Sequence, residues 1–512
     1  MSTLQRAPQG APQPDPDQAP EPRGLGLFLR EIPPSLVVFL VAVPLSMGIA
    51  LASGAPIMAG LIAAVLGGVV VGALAGAPLQ VSGPAAGLAV LVFGYVQQFG
   101  LRELGAIVVV AGLLQVALGA ARIARGALAI SPAIIHGMLA GIGVQIALAQ
   151  LHVVLGGSPQ SSALRNIAEL PGQVLHLHGA ATALGLLTVG VLLAWSRAPE
   201  RVQRVVPAPL AAVVTATVVG LLAGMDVPRV ALPGAWTSAL SAPSWPGERL
   251  GAAALAAVTI AIVASAESLL SAVATDRLHG GRRADLDREL LAQGVGNVLA
   301  GACGALPITG VIVRSKANIT AGARTRWSAV LHGAWIVLFV TQLGGVLRTI
   351  PLAALAGLLV VVGVRLVDVG HLKDLSRHGQ LGIYLATLAG VVGINLLAGI
   401  GIGVALAVLL LLRRLTRISV AVEERASRWH VVITGSLTFV GVPELTGALA
   451  AIPPGRSVDV DLNVDTLDHA AFEALHNWRL GYEKAGGQVD IDKLHEAWSA
   501  RDSLSAGPAK AG

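Results

Sequence analysis

Leu306–Arg314 reads Leu-Pro-Ile-Thr-Gly-Val-Ile-Val-Arg, an apolar run that ends on a lone arginine. A second stretch, Leu79–Gly83, reads Leu-Gln-Val-Ser-Gly and repeats Leu306–Gly310 at a separation of 227 residues. Each copy starts with Leu, has a β-branched residue third and ends Ser/Thr-Gly. If each copy is a short extended run feeding a half-helix, the two helix starts can face one anion in mid-membrane.

The surrounding composition supplies the membrane. Hydrophobic residues make up 54% of the 512 and charged residues only 12%, with a mean hydropathy of +0.74. Soluble domains are about a quarter charged, so the chain reads as a polytopic α-helical membrane protein. Residues 35–101 contain no Asp, Glu, Lys, Arg or His, room for roughly three spans of about 20 residues. The 62 glycines suit close helix contact in lipid. The net charge of +6 does not point to nucleic acid, because the basic residues sit at span ends. Cys303 is the single cysteine, which excludes an intrachain disulfide and reads as a packing residue.

Residues 1–26, rich in Pro, Gln and Ala, read as a disordered cytoplasmic tail. A transport domain is expected over 27–417. Its apolar segments fall at about 35–53, 56–76, 84–99, 104–121, 132–155, 179–196, 208–224, 251–275, 290–305, 310–323, 328–345, 351–367, 381–396 and 399–415. Two of these fourteen, 84–99 and 310–323, are short and follow the Ser/Thr-Gly repeats. With the amino terminus inside, 16 basic residues fall on inside connections, among them Arg122, Arg277, Arg324 and Arg413. Five fall outside: Arg102, Arg165, Arg229, Arg249 and Arg348. This bias follows the positive-inside rule at every crossing, and one span more or fewer in the middle would scramble it. The localisation it predicts is a bacterial inner membrane, multi-pass, with both termini cytoplasmic. The two short segments are seven apart, so they run in opposite directions, as in inverted-repeat transporters.

Beyond Arg417 the composition changes. Trp429–Gly435 reads as a strand, Pro443–Ala451 as a helix and Val458–Val464 as a half-buried strand. Asp468–Lys484 reads as a helix and Gln488–Ile491 as a strand. Alternating elements of this kind predict a small α/β domain over 428–500, followed by a polar tail at 501–512.

Three stretches carry a resemblance to a known family: Val81-Ser-Gly-Pro84, Gly304–Thr325 (GALPITGVIVRSKANITAGART) and the carboxy-terminal domain. The chain resembles the SulP family, the sulfate-permease and prestin group of anion transporters, over about residues 27–500. The Arg-Ser-x-x-Asn-x-x-Ala-Gly-x-Arg-Thr pattern of Arg314–Thr325 is its most specific part. Gly435–Phe439, Asp459–Leu462 and Asp468–Ala471 look like a STAS domain. The resemblance implies a fold of seven plus seven inverted repeats with two half-helices, core and gate domains, elevator-like motion and a homodimer. It also implies an inorganic anion as substrate and a possible cytoplasmic partner at the STAS domain.

The expected substrate-binding residues are Gly83, Pro84, Ala85 and Ala86 on one copy, and Gly310, Val311, Ile312, Val313 and Arg314 on the other. Gly83 and Gly310 leave the backbone bare to an ion. Pro84 suits a first helical position. The N–H groups that follow, with the helix dipole, favour an anion. A buried guanidinium needs a partner, and Arg314 has two: the anion, or a fixed pair with Glu267. Lys316 is placed toward the cytoplasmic exit.

Glu267 is the only charged residue between Arg249 and Asp276. A lone carboxylate in a span is a functional candidate, and one poised between desolvation and a nearby arginine could carry a proton. In sodium-coupled bicarbonate members the matching position is an aspartate followed four residues later by threonine; here the two are Glu267 and Ser271. A further family threonine aligns with Ile312, which removes an oxygen that a hard cation would want. Proton coupling or exchange is therefore expected over sodium. Sulfate-type members show Pro-Gln and aromatic positions where this chain has Pro44-Leu45, Ile49 and Ala85, which tilts the substrate toward bicarbonate, with sulfate next.

His136 reads as a packing residue. His152, His176 and His178 lack metal spacing, and Asp465, Asp468 and His469 read as a solvated loop. No cofactor, metal or enzymatic activity is expected, and the absence of a Walker motif argues against direct use of ATP. Two other classes remain: a nucleobase permease of the same architecture, and a non-transporting STAS scaffold held at the membrane. A buried Glu267 and Arg314 argue against the scaffold, since an anchor needs neither.

Overall fold

A segment in hydrocarbon must hydrogen-bond its own backbone, so long apolar stretches become helices. The computed structural model describes residues 25–124, 131–158, 163–175, 179–232, 240–247, 249–367, 370–377, 379–415, 417–425 and 428–492. Of the expected tails at 1–26 and 501–512, all but the last two residues of the first, which open a helix at Leu25, lie outside the described residues, as do His176 and His178. The chain divides into two compact units, Met1–Val404 and Ala405–Gly512.

The first unit is helical. In chain order it contains α1 (Leu25–Arg30), α2 (Ile32–Ala52), α3 (Ile57–Leu74), β1 (Ser82–Pro84), α4 (Ala86–Ala120) and α5 (Pro132–Val154). Then come α6 (Ala163–Leu175), α7 (Gly179–Ala194), α8 (Glu200–Val205), α9 (Ala208–Leu222), α10 (Leu250–Asp276) and α11 (Leu286–Ala302). The series ends with β2 (Ile308–Gly310), α12 (Ile312–Thr320), α13 (Trp327–Leu347), α14 (Leu352–Leu366), α15 (Gly370–Arg377), α16 (Leu381–Gly393) and α17 (Leu396–Leu415), the last of which runs past Val404. A helix lies in each of the fourteen apolar segments. Among the described residues, eight helices are long and apolar enough to cross a membrane.

Two helices depart from simple spans where the sequence places the short segments. α4 breaks at Gly100, whose φ of 78° is a left-handed value that glycine adopts without strain. Ala86–Phe99 is therefore a separate half-helix. α12 has nine residues, about 13 Å at 1.5 Å per residue, too short to cross a hydrocarbon core of about 30 Å.

β1 and β2 pair antiparallel. Ser82 is opposite Gly310, Gly83 opposite Thr309 and Pro84 opposite Ile308. α3 makes room for this ribbon at Gly67, where an added Cβ would lie 2.5 Å from the Ser82 carbonyl oxygen and 2.8 Å from the Gly83 nitrogen.

The second unit holds a four-stranded sheet of β3 (Ile418–Arg425), β4 (Arg428–Leu437), β5 (Ser457–Leu467) and β6 (Gln488–Asp492), in that order. β3–β4 is antiparallel; β4–β5 and β5–β6 are parallel. The helices α18 (Val442–Ala450) and α19 (His469–Lys484) lie in the two parallel crossovers, and Leu445, Leu449, Leu475 and Tyr482 pack with Val431, Ile433, Val458 and Val460. β3 was not anticipated, because its outward residues, including Glu423 and Glu424, break the apolar pattern.

The solvated-loop reading of Asp465, Asp468 and His469 is corrected. Asp465 lies in β5, and His469 opens α19. Asp468 caps α19, accepting from the Ala471 N–H at 2.8 Å and the Phe439 N–H at 2.6 Å. Asp468→Ala is expected to cost this unit about 1–2 kcal/mol. Hydrogen exchange of the full chain should then speed up in α18 and α19 and stay unchanged in the first unit.

Candidate functional site

Each ribbon strand delivers the chain to a helix start. The N-cap residues are Ala85 (φ −107°, ψ 136°) and Val311 (φ −119°, ψ 111°), both extended and neither able to cap with its side chain. The Gly310 N–H is taken by Ser268 Oγ at 3.1 Å and the Val311 N–H by the Val81 carbonyl at 2.9 Å. Intrahelical bonding resumes with Leu88 onto Ala85 and Ser315 onto Val311. The N–H groups of Ala86 and Gly87, and of Ile312, Val313 and Arg314, are therefore the unsatisfied first-turn donors. Because the strands are antiparallel, the two half-helices leave the ribbon in opposite directions.

Both ends open on one cavity of about 670 Å³. Ala86, Val311, Ile312, Val313, Arg314, Glu267 and Ser271 line it, together with Gly87, Leu45 and Ile49. The other expected binding residues, Gly83, Pro84, Ala85 and Gly310, are buried behind it and do not line it. Pro84 is the last residue of β1 and not the first of a helix, because the extended Ala85 intervenes.

The bare-backbone reading of the two glycines is also corrected. A Cβ on Gly83 would lie 2.1 Å from Arg314 Nη1, and one on Gly310 would lie 1.6 Å from Gln80 Nε2. The chain's own side chains fill both spaces. Gly83 thus seats the arginine instead of admitting an ion directly.

Arg314 has no exposed surface in the residue average, yet it borders the cavity. Nη2 donates to Ser46 Oγ at 3.0 Å and to the Pro84 carbonyl at 3.4 Å. Nε and Nη1 are buried without partners. The alternative of a fixed pair with Glu267 is not realised: no ion pair joins them, and Glu267 Oε2 is itself buried without a partner. The guanidinium thus borders the cavity while two of its donors, both buried, find no acceptor in the chain. Lys316 is exposed.

His136, read as a hydrogen-bonded packing residue, lies on the wall. Two cavity residues were not candidates in the sequence: Arg277 and Arg365 line it, both exposed. Arg365 lies in the last turn of α14, where a basic residue also suits the helix dipole and draws no notice. His152, in contrast, is fully buried, with Nδ1 on the Leu148 carbonyl. Cys303 is a half-buried free thiol at the end of α11. Among the described residues no His, Cys, Asp and Glu group could hold a metal.

Behind the ribbon a buried polar network fixes it. Glu289 on α11 accepts from the Ala77 N–H at 3.0 Å, Gln80 Nε2 at 3.0 Å and Gln293 Nε2 at 2.8 Å. Gln293 also donates to Ser82 at 2.7 Å. Asn297 brackets Ile308, donating to its carbonyl at 2.9 Å and accepting its N–H at 2.6 Å. Ser315 accepts from the Val81 N–H at 2.9 Å, and Asn318 donates to the Leu79 carbonyl at 3.1 Å. The first copy of the repeat is thereby held by α11 and α12, and the second copy by α11.

Comparison with known proteins agrees with this architecture. A bicarbonate transporter, BicA, of Synechocystis is 29% identical over 371 residues, 70% of this chain and 65% of the relative's length. The solved transmembrane domain of a cyanobacterial bicarbonate transporter BicA matches with a TM-score of 0.67 at 26% identity, covering 74% of this chain and 98% of that one. The murine anion transporter Slc26a9, solved in an inward-facing state, matches in fold with a TM-score of 0.76 at 18% identity, covering 95% of this chain and 89% of that one. The model of the sulfate permease family matches residues 28–389, which include both half-helices and the cavity; the chain belongs to the sulfate permease family.

Proposed function

We propose that the chain is a secondary active transporter of a small inorganic anion that works by alternating access. The observation that carries this is Arg314, buried with two unpaired donors beside two uncapped helix starts on a single cavity. Several kcal/mol of unmet donors in low dielectric favour an anionic guest. Bicarbonate is favoured, with sulfate next. The relative and the solved domain named above carry bicarbonate in their names, and the cavity offers no aromatic wall of Phe, Tyr or Trp among its described residues.

The ribbon register supports an inverted repeat of seven plus seven segments. Aligning Leu79–Gly83 with Leu306–Gly310 turns the pair Ser82–Gly310 into the pair Thr309–Gly83, and the register contains both. That is the pattern of a local two-fold axis. The sheet order and its parallel crossovers support a STAS domain in the second unit. A homodimer in a bacterial inner membrane, with both termini cytoplasmic, completes the proposal.

Coupling is assigned to Glu267 and Ser271, one turn apart on α10 and both on the cavity. With Ile312 and Val313 lining the opposite wall, a sodium ion finds few oxygens, so a proton or a counter-anion is the expected partner. The test is a panel of labelled bicarbonate, sulfate and chloride in proteoliposomes under imposed sodium and pH gradients. The proposal expects uptake of at least one anion that does not depend on sodium, with Glu267→Gln insensitive to the pH gradient. Uptake or tight binding of uracil or xanthine, with no anion moved, would replace it with the nucleobase reading. Uptake that survives deletion of residues 428–512 would assign the second unit to regulation.

A further inference from the structure

The cavity holds one acidic side chain among its lining residues, and that side chain faces the place where an anion is expected. A Cβ built on Gly87 would lie 2.8 Å from both carboxylate oxygens of Glu267 and 3.0 Å from its Cδ. The carboxylate therefore sits in a notch that only glycine leaves open, on the first turn of α4. Ala86 and Gly87 are the residues whose N–H groups lack acceptors, and Ala85 provides no side-chain cap. The positive end of a helix favours negative charge there.

Resting on the transport reading above, we propose that charged Glu267 is a tethered anion that competes with the transported anion for the start of α4. A second observation points to a ligand at the same place. Arg314 is wholly buried, borders the cavity and has Nε and Nη1 unpartnered. The carboxylate does not quench it, since the two form no ion pair and Glu267 Oε2 has no partner. The cavity is thus bordered by a buried cation with unmet donors, and one helix start already neighbours a carboxylate.

The two anions cannot share the notch. Two like charges a few ångström apart repel more strongly in a medium of low dielectric than in water, so the guest binds when Glu267 either swings out or takes a proton. The other charged and titratable groups on the cavity are Arg314 on α12, His136 on α5, Arg277 at the end of α10 and Arg365 on α14. None is a carboxylate, so no other residue on the wall can play this part. Glu267 is on this account a specificity-determining residue as well as a coupling one, and Gly87 is the position that seats it.

The test measures affinity instead of transport. Purified full-length chain in detergent is titrated with inorganic sulfate and with bicarbonate by calorimetry, comparing the parent with Glu267→Gln, Gly87→Ala and the double variant. Glutamine is isosteric but uncharged, and the atoms an alanine Cβ would meet at 87 are the movable end of Glu267, so both variants are expected to fold. The proposal expects Glu267→Gln to bind the anion about tenfold more tightly. It also expects the effect of Gly87→Ala to depend on whether residue 267 is charged, a non-additivity readable from the double variant. Unchanged or weaker binding by Glu267→Gln, or strictly additive effects, would overturn it. A parent chain that binds neither anion would strike the transport reading itself, whereas parental binding that Glu267→Gln leaves unaltered strikes the tethered anion alone.

Discussion

Arg314→Ala is expected to abolish anion uptake in proteoliposomes without lowering the thermal stability of the anion-free protein. The two halves of this result rest on separate observations. On the proposed function, removing the buried cation that borders the cavity takes away the main charge on which a guest anion would depend. Truncating a buried charge partner costs about 2–5 kcal/mol, which is about 30-fold to several thousand-fold in affinity. Stability follows from what Arg314 does not do. It forms no ion pair with Glu267, and its guanidinium makes only two hydrogen bonds, to Ser46 and to the Pro84 carbonyl, among the described residues. An uncompensated buried charge is itself unfavourable, so its loss offsets the packing lost with the side chain. Arg314→Lys should recover only part of the uptake, because an ammonium lacks the fork that reaches Ser46 while presenting Nε and Nη1. Labelled-anion uptake beside thermal unfolding in detergent separates the two halves. Parental uptake by the alanine variant would remove Arg314 from the site.

Glu289→Ala is expected to have the opposite profile, a loss of stability of the folded protein by about 3–5 kcal/mol. Three donors, the Ala77 N–H, Gln80 Nε2 and Gln293 Nε2, lose their acceptor away from solvent, since Glu289, Gln80 and Gln293 are at most 2% exposed. Each orphaned buried donor costs about 1–3 kcal/mol. The damage should spread to the ribbon, because Gln80 packs over Gly310 and Gln293 holds Ser82. Glu289→Gln keeps one acceptor oxygen but turns an amide N–H₂ toward a donor, so an intermediate loss is expected. Thermal unfolding of the detergent-purified chain measures the series. A Glu289→Ala protein as stable as the parent would show that the network does not hold the ribbon.

The half-helices were legible because their sequence signal is chemical. A Ser/Thr-Gly pair between apolar runs interrupts a membrane helix, and here it does so twice. The lone arginine and the lone glutamate were legible for the same reason, since each is conspicuous in an uncharged background. What faces what was not legible. Gly83 reads as open backbone until Arg314, 231 positions later, is found lying on it, and Gly310 is covered by Gln80. Glu289 was invisible because it stands beside Asp287 and Arg288, where charge marks a membrane surface. The helix starts four residues before the expected segment and carries Glu289 inside. Arg365 drew no notice because the last turn of a helix commonly carries a basic residue.

An anion held in the space between the two helix starts is the central claim. The measurement that tests it most directly is a structure of the chain solved with the anion that the uptake panel selects. Density is predicted within hydrogen-bonding distance of the Arg314 guanidinium and of the N–H groups at the starts of α4 and α12. Anion density elsewhere in the molecule, with the space beside Arg314 left to water, would contradict it.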